Sequence, residues 1–173
     1  GPYGWIDDFN LNWTPNTTDL EYKRYRFGEQ PNIAMWNLFK LAESLSVIND
    51  NFSEFEKIID CFPKYFEDFH NSNMSKKLGL QDLSKNSTFY QTTYNLLQNL
   101  NLDMTLFFRF LAKNPLNSLT DTKLVKLSYL DNFGAEHFSL FNNWKNKYQK
   151  LVNDQNIDEG KRKKIMEKNN PNF

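Results

Sequence analysis

Apolar positions crowd most densely between residues 33 and 45, where 33, 34, 35, 36, 38, 39, 41, 42 and 45 are all apolar. That exceeds the single stripe of a surface helix, so the spacing predicts a helix over 31–46 that is covered on most sides. Pro31 fits its first turn, where a missing N–H costs little. Past a turn at Asn49-Asp50-Asn51, residues Phe52, Phe55, Ile58, Ile59 and Phe62 recur at helical spacing. Pro63 breaks or restarts that helix, and Tyr65, Phe66, Phe69, Met74 and Leu78 carry the next face up to a glycine stop at Gly79.

A polar connection, 81–87, leads to Phe89, Tyr90, Tyr94, Leu97 and Leu100. Asp103 is placed to cap a short helix carrying Leu106, Phe107, Phe110 and Leu111, which ends at Asn114-Pro115. A weaker helix is expected over about 121–130. A clear one follows with Phe138, Phe141, Trp144, Tyr148 and Leu151, and a last one runs from near Asp158 to Asn169-Asn170-Pro171. No run alternates as a strand does. The first 28 residues lack a helical period, yet they hold Tyr3, Trp5, Phe9, Trp13, Tyr22, Tyr25 and Phe27, which suits a segment that packs down. The pattern therefore predicts a mainly α chain: an irregular stretch over 1–30 and a helical domain over 31–173.

Composition changes little in this picture. The 173 residues carry 21 Lys plus Arg and 21 Asp plus Glu, so no global field favours nucleic acid. Aromatic residues make up 16% of the chain, and at helical spacing they take up much of the core. The one cysteine, Cys61, excludes an internal disulfide and is expected to be a buried small hydrophobe between Ile59 and Phe62. Nothing is long and apolar enough to span a membrane. No export signal is visible, and the first residue is Gly1 rather than methionine, which suggests a removed start or a piece of a longer protein.

Candidate chemistry is sparse. His70 and His137 are far apart and lack a second ligand at metal spacing, so both are expected to be ordinary, partly exposed residues. Lys161-Arg162-Lys163-Lys164 reads as a solvated helix face, with a nucleic-acid patch as the other reading. Asp7-Asp8 could orient a base or a metal, or simply form turns and caps. Arg24 and Arg26 alternate with Tyr25 and Phe27, an arrangement suited to a phosphate or carboxylate, or to ion pairs with Asp7, Asp8 or Asp19.

Three stretches carry a family resemblance: Gly1-Pro-Tyr-Gly-Trp-Ile-Asp-Asp-Phe9, Trp13-Thr-Pro-Asn-Thr-Thr-Asp19, and Arg24-Tyr-Arg-Phe-Gly-Glu-Gln-Pro-Asn-Ile-Ala-Met-Trp-Asn-Leu38 with Leu41-Ala42. Together they resemble the selenoprotein O family, also called YdiU. Fainter echoes follow in order at 77–80, 103–109, Trp144 with Tyr148, and Met166 with Asn170-Pro171. The resemblance implies a protein-kinase-like fold in which this chain looks like the activation segment and the lower, C-terminal lobe. It also implies a protein adenylyltransferase that uses ATP and Mg²⁺ (or Mn²⁺) to move AMP onto protein hydroxyls.

The family's Asp-Tyr-Gly motif would end at Gly1. Its metal-binding aspartate, glycine-rich loop, lysine and catalytic-loop residues would all precede this chain, so the resemblance places no catalytic, cofactor or metal residue within it. Gly1, Tyr3, Gly4, Asp7, Asp8, Arg24, Tyr25, Arg26 and Gln30 are the activation-segment or substrate-side candidates, with Pro31, Trp36 and Asn37 as anchors. The expected partners are protein substrates, with neither nucleic acid nor membrane. The expected compartment is a bacterial cytoplasm, or the mitochondrion in a eukaryote. The family's regulatory cysteine position is taken by Pro15, so redox control does not carry over. The alternative is a non-catalytic helical interaction module.

Overall fold

The computed structural model describes residues 8–14, 18, 21–48, 51–86 and 88–171. Among them are eight α-helices and no strand, so the chain is mainly α. The helices are α1 (Gln30–Ser46), α2 (Phe52–Asp60), α3 (Phe62–Lys77), α4 (Thr88–Asn99), α5 (Met104–Lys113), α6 (Asp121–Val125), α7 (Ala135–Asp154) and α8 (Glu159–Asn169). Short 3-10 turns stand at Phe27–Glu29, Ser84–Asn86 and Leu116–Ser118. The chain forms two compact units, and the division falls inside α3, after His70.

In the first unit, α1 packs along α2, with Phe39 and Phe52 meeting edge to face at 5.5 Å. The expectation that α1 is covered on most sides is not met, since Ala42 is its one buried residue. Leu38, Leu41, Ala42 and Leu45 form one wall of an open apolar groove of about 310 Å³, and Phe55, Ile58 and Ile59 form the other. Cys61, expected to be buried, is exposed in the break between α2 and α3, and its Sγ approaches the Lys57 carbonyl at 3.4 Å. Apolar neighbours in sequence do not bury a side chain when the helix beneath it has nothing packed on that side.

The second unit holds the core. Trp144 of α7 lies within 6.3 Å of the rings of Phe89, Phe107, Phe141 and Tyr148. Its indole N–H donates to Thr93 Oγ1 at 3.0 Å, and the Thr93 hydroxyl donates to the Phe89 carbonyl, so the buried polar atoms of this cluster are paired. Phe9 belongs to this unit. Its N–H donates to the Leu102 carbonyl at 2.9 Å, its ring lies tilted against Tyr94 at 5.0 Å, and it is 1% exposed.

The ends of α3, α4 and α7 share one device. Gly79, Asn101 and Asn156 take positive φ (68°, 41° and 51°), and the next N–H reaches back to Ser75, Leu97 and Val152 respectively. This closure satisfies carbonyls that the last helical turn leaves open, and it favours Gly or Asn. The weaker helix expected over 121–130 is shorter, ending at Val125. Beyond it, Ser128 and Leu102 form an isolated antiparallel bridge, with Ser128 Oγ donating to the Leu100 carbonyl at 2.5 Å. That tertiary pairing replaces another helical turn.

Arg162 corrects the reading of the basic run. Lys161, Lys163 and Lys164 are exposed, but Arg162 is 1% exposed. Its guanidinium donates to Glu159, to the Leu111 and Asn114 carbonyls and to the Tyr148 hydroxyl, at 2.8–3.1 Å. Tyr148 in turn donates to the Leu78 carbonyl at 2.5 Å, and Asn170 Nδ2 donates to the Lys77 carbonyl at 3.0 Å. A Cβ on Gly79 would stand 2.7 Å from Arg162 Cγ and 2.8 Å from Met166 Cγ. The scattered motif echoes at 77–80, Tyr148, Met166 and Asn170 therefore meet at one turn and serve as scaffold.

Candidate functional site

The candidate site is the irregular segment that runs into α1. Its backbone doubles back on itself: the Phe27 N–H donates to the Trp13 carbonyl at 2.9 Å and the Gly28 N–H to the Leu11 carbonyl at 2.8 Å. A Cβ on Gly28 would sit 3.1 Å from that Leu11 oxygen, so glycine permits the close approach. The segment then turns at Lys23, a non-glycine residue at φ 48°, whose carbonyl accepts from the Arg26 N–H at 3.1 Å. A lysine held in this region costs on the order of 1 kcal/mol and needs surrounding contacts to hold it.

Those contacts come from the candidate residues. Arg24 places its guanidinium 4.0 Å from the centroid of the Trp36 ring and 5.8 Å from that of Tyr25. Stacking of this kind fixes the guanidinium plane and is worth about 0.5–1 kcal/mol where exposed. Arg26 is engaged differently, in an ion pair with Glu29 at 2.8 Å. Glu29 also accepts from Asn32 Nδ2 at 2.7 Å. Gln30 Nε2 donates to the Tyr25 carbonyl at 2.8 Å and so latches the loop to the first residue of α1. Pro31 sits in the first turn, as its missing N–H allows.

Trp36 and Asn37 both lie on the exposed side of α1, and Asp8 is half-buried in the second unit. Gly1, Tyr3, Gly4 and Asp7 lie outside the described residues, as do Pro15 and Asp19. Sequence reasoning passed over Glu29 as a partner for Arg26, although three-residue spacing puts the two within reach where the chain turns helical. It also passed over Lys23, because no sequence signal marks a lysine with positive φ.

Chemically, the segment presents a stacked arginine and two exposed tyrosines, Tyr22 and Tyr25. Among the described residues no three His, Cys, Asp or Glu side chains gather where they could hold a metal ion. Perturbed groups lie elsewhere. Burial pushes the Tyr148 hydroxyl up while Arg162 works against the rise, and burial lowers His70. Burial acts to lower Arg162, but Tyr148 and Glu159 outweigh it and its pKa is raised. It is a fully paired structural cation.

Comparison with known proteins adds what the geometry lacks. The family model described as "Protein adenylyltransferase SelO" matches residues 1–173. The chain is 38% identical over 172 residues to the protein nucleotidyltransferase YdiU of Tolumonas auensis, covering 99% of this chain and 33% of that protein. It is 35% identical to the protein of the same name from Aromatoleum aromaticum, covering 100% of this chain and 33% of that protein. The YdiU of Nitrosospira multiformis is 30% identical, with 36% of its length covered. The chain thus spans about a third of the length of the curated relatives it matches.

Proposed function

The chain belongs to the protein adenylyltransferase SelO family, and from that membership we propose that it supplies the activation-segment-like stretch, 1–30, and the lower helical lobe, 31–173, of a longer enzyme. That enzyme transfers AMP from ATP to Ser, Thr or Tyr hydroxyls of proteins. The observation that carries the reading is the family match over the whole chain, 1–173. Relatives named protein nucleotidyltransferases align with nearly all of it.

The described residues do not fit a nucleotide or its metal. They form no cluster of acidic, His or Cys ligands, Arg26 is committed to Glu29, and Arg24 is stacked on Trp36. By the family resemblance, ATP and Mg²⁺ or Mn²⁺ are assigned to residues upstream of Gly1, and no step of the transfer is assigned to this chain. Its own residues hold the segment: Gln30 latches it and Arg24 stacks it onto α1. Arg24 is also the residue proposed to approach the protein substrate. The place of work is the bacterial cytoplasm, or the mitochondrion if the source is eukaryotic.

The test is a labelling assay on the full-length protein with Mg²⁺ or Mn²⁺. Label from α-phosphate-labelled ATP should be retained on protein, and label from γ-phosphate-labelled ATP should not. A folded enzyme that retains no α label, or that retains the γ label, overturns the proposal. A non-catalytic helical interaction module is the competing reading, and the open groove along α1 and α2 favours it. It predicts no AMP transfer by the full-length protein and a specific partner for the isolated chain.

A further inference from the structure

We propose that the apolar groove of α1–α3 is the seat of an amphipathic helix from the remaining polypeptide of the full-length protein. This inference rests on the reading above only in taking the chain as part of a longer one.

The α1 wall carries apolar side chains at 38, 41, 42 and 45, a spacing of i, i+3, i+4 and i+7. The α2 wall repeats that spacing at 55, 58 and 59, and Phe62 and Tyr65 of α3 extend it. Two parallel rows of this spacing leave a furrow that accepts the apolar ridge of a third helix, as in helix-on-helix packing. The furrow is uncovered. Leu41 is 54% exposed, Ile58 69% and Tyr65 62%. One contiguous apolar surface of this kind marks a contact site. Beyond the groove α1 also leaves Met35 and Trp36 exposed, so a seventeen-residue helix buries only Ala42.

Length decides the occupant. The curated relatives align with this chain over about a third of their sequence, and the other two thirds must pack somewhere. A second copy of the chain would leave that polypeptide without this face. An occupant from the same polypeptide also arrives at high effective concentration, which favours it over a separate partner.

The experiment uses the full-length protein with Tyr65→p-benzoylphenylalanine, and separately Phe55→p-benzoylphenylalanine, each an aromatic replacement at the groove. On illumination, the expected product migrates as a monomer, and peptide mapping finds the crosslink outside the 173 residues. A covalent dimer, a crosslink to another protein, or a yield no greater than at Tyr22→p-benzoylphenylalanine overturns the proposal.

Carbene footprinting of the unsubstituted full-length protein gives an answer even if the variants fail to fold. Peptides covering 38–65 should be labelled several-fold less than the peptide containing Tyr22, and equal labelling overturns the proposal. An intramolecular crosslink without AMP transfer would remove the enzymatic reading and leave the groove assignment standing. AMP transfer with a covalent dimer would do the reverse.

Discussion

Arg162 fastens the second unit at a point where the sequence offers only a basic run. Its five N–H donors reach Glu159, two carbonyls and a tyrosine hydroxyl, so the desolvated cation leaves no donor unused. Arg162→Met keeps much of the volume but strips the Leu111 and Asn114 carbonyls of their partner. It should cost on the order of 3 kcal/mol. Chemical denaturation should show a lower midpoint for this variant than for Lys163→Met, whose exposed side chain pairs only loosely with Glu167 at 3.7 Å. Equal midpoints for the two variants would remove Arg162 from its structural role. Cys61 teaches the converse at the same scale: apolar neighbours surround it in sequence, yet it is exposed.

Helix ends are where local chemistry speaks most plainly. Asp103 accepts from the Leu106 N–H and Asp158 from the Lys161 N–H, both at 2.8 Å, each satisfying a donor that the first turn leaves open. Asp103→Ala and Asp158→Ala should each lower stability by about 1 kcal/mol. Thermal melts of the two variants, read against Asp154→Ala in the last turn of α7, would check this; melts indistinguishable from that control would count against the caps.

The caps, the Gly79 stop and the restart at Pro63 were all legible because they depend on a few adjacent residues. The length of α6 was not, because the Leu102–Ser128 bridge that ends the helical stretch joins residues 26 positions apart. The candidate site divides in the same way. The latch at Gln30-Pro31 is local and could be read, whereas the Arg24–Trp36 stack reaches across the 3-10 turn and about two turns of α1.

At the scale of the molecule, the buried Tyr148 and the half-buried Tyr94 set a pH limit. Burial, with Tyr90 adding to it, raises Tyr94 from 10.0 to about 12, and burial raises Tyr148 as well. A raised pKa means that the folded state holds the proton more tightly. The stability it contributes is complete below pH 10 and is lost as pH climbs through about 12. Stability should therefore fall between these limits, with Tyr94 alone accounting for about 3 kcal/mol. Tyr94→Phe should flatten that fall in denaturation midpoints measured across the range, and an unchanged slope would show that Tyr94 titrates normally.

Periodicity determined by itself that the chain is helical, where most helices begin and end, and that Trp144 and Tyr148 share a face. Each of these follows from spacing of 3.6 residues and from the chemistry of caps. Motif order pointed to the family. Only the tertiary structure decided that Arg162 is buried, that Cys61 is not, and that α1 carries an apolar surface left open by the elements around it. Burial is a property of what packs opposite a side chain, and a pattern along one helix carries no information about whether its partner is present.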